Sequence, residues 1–173
     1  MKRRDFLKLA GIGTVGAGLG SAAYRATGWW NQPSARGREI LSADEVAITE
    51  AIVDAMFPGE SMQPNGMPNG TDAGIVEHLD GYLAAIDAHS SRLMRLLLHL
   101  IDEGALVSDL TFRRFRYRSR KDRIAILKAW DNSEIVFRRK AFGGLKLILA
   151  GGYCTHETVL QVSGIHYTCG GAG

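Results

Sequence analysis

The chain has two cysteines and four prolines in 173 residues, and no apolar run long enough to supply the roughly 20 residues of a membrane span. Two thiols exclude a disulfide-dense scaffold and any protein-only four-thiolate iron–sulfur site. They leave one disulfide, a mixed Cys/His metal site, or two free thiols. The lack of long apolar runs excludes a polytopic membrane protein. Strand-like alternation is nearly absent too. There is no Cys-x-x-Cys-His haem attachment, no glycine-rich phosphate loop following a strand, and no Ser/His/Asp pattern with its local context. An independent enzyme is therefore not expected. What remains is an ordinary globular composition, 46% apolar and 23% charged, which implies a packed core.

Charge is unevenly placed. The net charge is +3, but residues 1–25 hold Lys2, Arg3, Arg4, Lys8 and Arg25 against Asp5, so the rest of the chain is slightly acidic. A nucleic-acid partner is not expected on that ground. Residues 36–103 contain four basic and twelve acidic side chains, and residues 104–146 contain twelve basic and four acidic. Two halves of opposite sign suggest pairing with each other across solvated edges.

The amino-terminus has the anatomy of an export signal: a basic start, a weakly apolar stretch over 9–23 with five glycines, and small residues at Ser21-Ala22-Ala23. Glycine costs about 1 kcal/mol per position in a helix interior relative to alanine, which argues against a buried helix there. Arg3-Arg4-Asp5-Phe6-Leu7-Lys8 resembles the twin-arginine translocation motif, in which Arg3, Arg4, Phe6, Leu7 and Lys8 are the matched positions. The twin-arginine translocase is thus an expected partner. Export of a folded protein to the periplasm, or to the periplasmic face of the inner membrane, is expected. Residues 1–23 then form the signal, either removed or kept as an anchor.

Residues 24–40 are polar and turn-forming and read as a linker. A helical domain is expected over 41–152. Ser42 with Glu45 forms a capping box ahead of Val46, Ile52, Val53, Met56 and Phe57, and Pro58 ends that stripe. Asp72 is the expected cap of a second helix carrying Ile75, Val76, Leu79, Leu83 and Ile86. A third, over about 91–103, is expected to bury Leu93, Leu96, Leu97, Leu100 and Ile101. Ser119 and Asp122 cap a fourth with Ile124, Leu127 and Trp130, and a last helix over about 133–150 is expected to end at Gly151-Gly152. The expected fold is all-α: one compact domain of about five helices, with an irregular tail over 153–173.

Three clusters invite chemistry. Residues 112–121 interleave aromatic and basic side chains, and Arg113, Arg114, Arg116, Arg118, Arg120 and Lys121 are candidates for a partner or membrane surface. His78 and His89 lie eleven residues apart, nearly one face of a continuous helix, but without the i, i+3 or i+4 spacing that holds one metal. Cys154 and Cys169 flank His156 and His166. In an oxidising compartment a Cys154–Cys169 disulfide is expected, closing a loop of about 15 residues that is worth about 3 kcal/mol. Zinc on the same four residues is the alternative.

Several short segments carry a resemblance. They are Leu41-Ser42-Ala43-Asp44-Glu45, Met56-Phe57-Pro58, Ala73-Gly74-Ile75 and Leu79-Asp80-Gly81-Tyr82-Leu83, followed by Arg123 with Leu127, Arg138-Arg139 to Leu145-Lys146, and Gly152-Tyr153. With the signal, this pattern resembles the gluconate 2-dehydrogenase subunit 3 family over most of residues 1–153. The resemblance implies a small, non-catalytic subunit without a cofactor or resident metal of its own. It implies FAD in a large partner subunit of the glucose-methanol-choline oxidoreductase type, and haem c in a cytochrome c subunit that accepts electrons. It further implies that the large subunit lacks an export signal and travels with the small one. A stand-alone periplasmic helical protein, binding a metal or small ligand through its His and Cys residues, is the competing expectation.

Overall fold

The computed structural model describes residues 28, 32–59, 66–106 and 113–164. The chain divides into two units, Met1–Pro33 and Ser34–Gly173. In the first, Gly28 is described in helical conformation, and Gln32 and Pro33 are exposed.

The second unit is all-helical, and among its described residues the nearest approach to sheet is one antiparallel bridge between Ser34 and Ser42. Its elements are α1 (Ala43–Met56), α2 (Ile75–Ala85), α3 (Ala88–Gly104), a 3₁₀ turn (Phe115–Tyr117), α4 (Arg120–Asp131), α5 (Val136–Cys154) and α6 (Glu157–Val162). The five expected helices are present, and α6 is additional.

α1 starts where its chemistry dictates. Ser42 Oγ accepts from the Glu45 N–H at 3.4 Å, and the Glu45 carboxylate accepts from the Ser42 N–H at 2.8 Å, so two orphan donors are satisfied reciprocally. The helix stops at Phe57, since Pro58 disfavours helical backbone in the residue before it. Ile48, Ile52 and Val53 are fully buried, and α1 packs against α2, α3, α4 and the 3₁₀ turn. It is the central helix. α5 packs on α2, α3 and α4, and α6 on α5. Each fully buried Leu or Ile contributes about 1.5–3 kcal/mol, so Leu79, Leu98, Ile101, Leu145 and Leu149 together anchor the outer helices.

Several expected element boundaries need correction. Asp72 does not cap α2: its N–H and carboxylate are taken by Asn69 in a local turn, and Gly74, at φ +69°, begins the helix instead. α3 begins three residues earlier than expected, because Asp87 accepts from the N–H groups of His89 and Ser90, both at 3.0 Å. The segment after 152 is not irregular throughout. α5 runs on to Cys154, and α6 follows, held by buried Val159; six residues are too few for a helical period to show. Finally, the linker's last residues belong to the folded body. The Ala35 N–H donates to the Leu41 carbonyl at 2.8 Å, and Asp80 binds the backbone of residues 39–41.

Gly151-Gly152 does not end α5, since the pair serves packing rather than termination. A Cβ on Gly152 would lie 2.7 Å from His78 Cγ and Cδ2, whereas one on Gly151 would meet nothing. α2 and α5 approach that closely only because Gly152 has no side chain. Gly152→Ala is therefore expected to destabilise the fold by about 1–3 kcal/mol, while Gly151→Ala is expected to stabilise it by up to about 1 kcal/mol. Thermal melts of the two variants, read side by side, check the opposite signs.

Candidate functional site

Most of the Arg-rich segment turns inward. Arg116 keeps 7% of its side chain exposed: Nη1 donates to Asp44 Oδ1 at 2.8 Å, Nε lies 3.3 Å from Asp102 Oδ2, and its N–H donates to Asp102 Oδ1 at 3.0 Å. Burial opposes its charge, but Asp44 and Asp102 more than offset that and push its pKa above the ordinary guanidinium value. Arg118 is buried, with Nε on the Arg113 carbonyl at 3.0 Å and Nη2 on the Ala105 carbonyl. Arg114 reaches Glu103 at 3.7 Å, and Arg123 pairs with Asp54 at 2.8 Å while also donating to the Ala51 carbonyl. Only Arg113 and Lys121 of the six candidates are exposed. Of the six candidates Arg114 and Arg116, joined by Arg123, fasten the basic half to the acidic half, which is the pairing that the charge partition suggested, whereas Arg118 holds carbonyls of its own half.

The polar residues of the other quoted segments are fasteners as well. Asp80, 5% exposed, accepts three backbone N–H groups, from Glu39 at 2.7 Å, Ile40 at 3.0 Å and Leu41 at 2.8 Å. Glu45, fully buried, accepts from Arg95 Nε at 2.7 Å, and His99 Nε2 lies 3.5 Å from the same oxygen. Burial alone would raise its pKa, but hydrogen bonds from His99, Arg95 and the Ser42 N–H overcome that and lower it to about 2. Tyr153 stacks on Phe57 at 4.6 Å between centroids, and its hydroxyl donates to the Pro68 carbonyl at 2.9 Å.

The histidine pair is separated. His78 is on α2 against Gly152, and His89 is exposed in the first turn of α3, so no continuous helix joins them. Cys154 is an exposed free thiol at the end of α5. Its expected partner Cys169, together with His166, lies outside the described residues, as do Arg3, Arg4, Phe6, Leu7 and Lys8. Among the described residues no group of three or more His, Cys, Asp or Glu is placed to hold a metal, and no helix is long and apolar enough to cross a membrane.

Two concavities stand out among the described residues. A polar cleft of about 690 Å³ is lined by Asp54, Asn69, Thr71, Asp72 and Arg120 among others. Charges of both signs share its wall. The second is an apolar groove of about 330 Å³ between α3 and α5, lined chiefly by Leu93, Leu96, Leu97, Leu100, Phe137 and Gly144. Around it Leu93 is 52% exposed, Leu100 44%, Phe137 76%, and Leu147 farther along α5 74%.

This groove corrects the expectation that α3 buries Leu93 and Leu100. α3 carries Leu93, Met94, Leu96, Leu97, Leu98, Leu100 and Ile101, more than one face of a helix can hold. Leu97, Leu98 and Ile101 turn to the core, and the surplus is left outside. That surplus is a sequence signal of apolar side chains left over from the core, though it does not tell which of them stay exposed. Comparison of the chain with protein-family profiles, with curated proteins and with solved structures finds no match.

Proposed function

We propose that this chain is the exported, non-catalytic small subunit of a flavin-dependent dehydrogenase of the glucose-methanol-choline type that oxidises gluconate, another sugar or an alcohol. FAD belongs to the large subunit, and haem c to a cytochrome c subunit where one is present. The chain carries the twin-arginine address, escorts the folded flavoprotein to the periplasm and helps hold it at the periplasmic face of the membrane. The observation that carries this reading is the apolar groove between α3 and α5, since a small domain that leaves Leu93, Leu100 and Phe137 in water is built to be covered. The family resemblance supports it from the other side. The polar residues of the resembling segments are occupied in holding the fold, as Glu45, Asp80 and Arg123 are.

Replacing Arg3 and Arg4 together by Lys is expected to leave both this chain and its flavoprotein in the cytoplasm, because an ammonium cannot reproduce the planar guanidinium fork that the receptor reads. Immunoblots of cytoplasmic and periplasmic fractions test it. Wild-type periplasmic levels of both proteins in the double variant would overturn the escort reading.

A further inference from the structure

We propose that the α3/α5 groove receives a helix of the flavoprotein large subunit, about two turns long, with an apolar face and a carboxylate set opposite Lys140. The assignment rests on the small-subunit reading above and adds to it the surface and the chemistry of what fills it.

The first argument is spacing. On α3 the lining residues Leu93, Leu96, Leu97 and Leu100 stand at i, i+3, i+4 and i+7, and on α5 Phe137, Lys140, Ala141 and Gly144 repeat that spacing. Two helices that each present a seam of this period leave a groove in which a third helix can seat its own knobs. Seven residues at 1.5 Å rise make each seam about 10 Å long, close to two turns.

The second argument is Gly144. It is exposed in the groove wall, and a Cβ there would meet nothing within 4 Å. Its glycine costs helix stability with no contact inside the domain to account for it. A helix lying in the groove accounts for it by close backbone approach. Gly143, beside it, is equally open in the isolated domain but does not line the groove.

The third argument is charge, and it separates the occupants. Among the described lining residues Lys140 is the one that carries a charge, and Arg139 beside it and Arg92 beside Leu93 are also exposed. A second copy of this chain seated groove to groove would set cation against cation. A bilayer presents a flat face, which would reach exposed Phe137 and Leu93 but not Leu97, 5% exposed, within the concavity. An apolar helix with an acidic residue on its flank meets both demands.

The test uses the full-length chain and the glucose-methanol-choline-type flavoprotein of the same organism, with affinity measured by titration at 0.1–0.2 M salt, a range in which charge interactions are screened over about 10 Å. Gly144→Leu is expected to weaken binding at least about tenfold and Lys140→Glu about five- to tenfold, while Gly143→Ala binds as wild type. Melting temperatures of all three variants at or above that of the wild type show that the fold is kept. If the wild type binds and Gly144→Leu and Lys140→Glu bind equally well, the groove assignment falls and the small-subunit reading stands. If the wild type does not bind the flavoprotein, both fall. Self-association, or binding to phosphatidylglycerol vesicles, that Gly144→Leu abolishes would reassign the groove to a second copy or to lipid and overturn the proposal.

Discussion

Glu45→Gln is expected to lower the unfolding free energy by about 3 kcal/mol at pH 7, and the loss is expected to shrink as the solution is acidified. The carboxylate is fully buried and joins three things: the amino-terminus of α1 through the Ser42 N–H, Arg95 of α3 at 2.7 Å, and His99 of α3 at 3.5 Å. Its folded-state pKa of about 2 lies below the ordinary 4.5. A depressed carboxylate pKa contributes stability that is fully present above about 4.5 and is lost as pH falls through about 2. At about 1.4 kcal/mol per unit that gap corresponds to roughly 3 kcal/mol. Glutamine keeps an oxygen for the cap but leaves the largely covered Arg95 without its buried counter-charge, and breaking one side of such a pair costs a similar amount. Urea unfolding of wild type and variant at several pH values between 7 and 3 checks both statements. A difference below about 1 kcal/mol at pH 7, or one that does not change with pH, would show that Glu45 is no more than a helix cap.

The second large effect is expected at Asp80. Its two oxygens accept the N–H groups of Glu39, Ile40 and Leu41, the residues that lead the chain into α1. Among the described residues no other hydrogen bond holds those donors, and Leu41 is fully buried. Asp80→Ala strands the buried Leu41 donor, at a cost of about 1–3 kcal/mol, and leaves the part-buried donors of Glu39 and Ile40 to water, so the lead-in to α1 loses its anchor. A total of about 3 kcal/mol is expected, which lowers the melting temperature of a domain this size by about 10 °C. Asp80→Asn is expected to cost less, since one amide oxygen can still accept from Ile40 and Leu41. Calorimetry on the three proteins tests the order wild type, Asn, Ala. An alanine variant that melts with the wild type would show that Asp80 is not needed to hold the fold.

Both effects concern residues that a motif reading alone leaves ambiguous. Leu79-Asp80-Gly81-Tyr82-Leu83 could as well have placed an acid at a working surface. Its structural duty is visible only because residues 39–41 pass over α2 some forty positions earlier in the chain. The same holds for the arginines over 113–120. Their alternation with aromatics suits an anionic partner, but Asp44 and Asp102 are nearer than any partner and take Arg116 out of solvent. The basic and acidic halves were legible in composition; which arginine meets which carboxylate was not.

Local chemistry was enough to predict five of the helices, though not all of their ends. The capping box of Ser42 and Glu45, the Ser119 cap, the stop at Pro58 and the apolar periods of α1, α2, α4 and α5 all act within three or four residues, so the chain itself decides them. Tertiary structure decided what lies on which side. Leu93 and Leu97 are four residues apart on one helix, yet one is half exposed and the other buried, because α5 covers only part of α3. Gly151 and Gly152 are adjacent and look alike, yet only Gly152 faces His78. Periodicity identifies an apolar face, but whether that face is covered depends on a helix some forty to fifty residues away, and no local interaction carries that information.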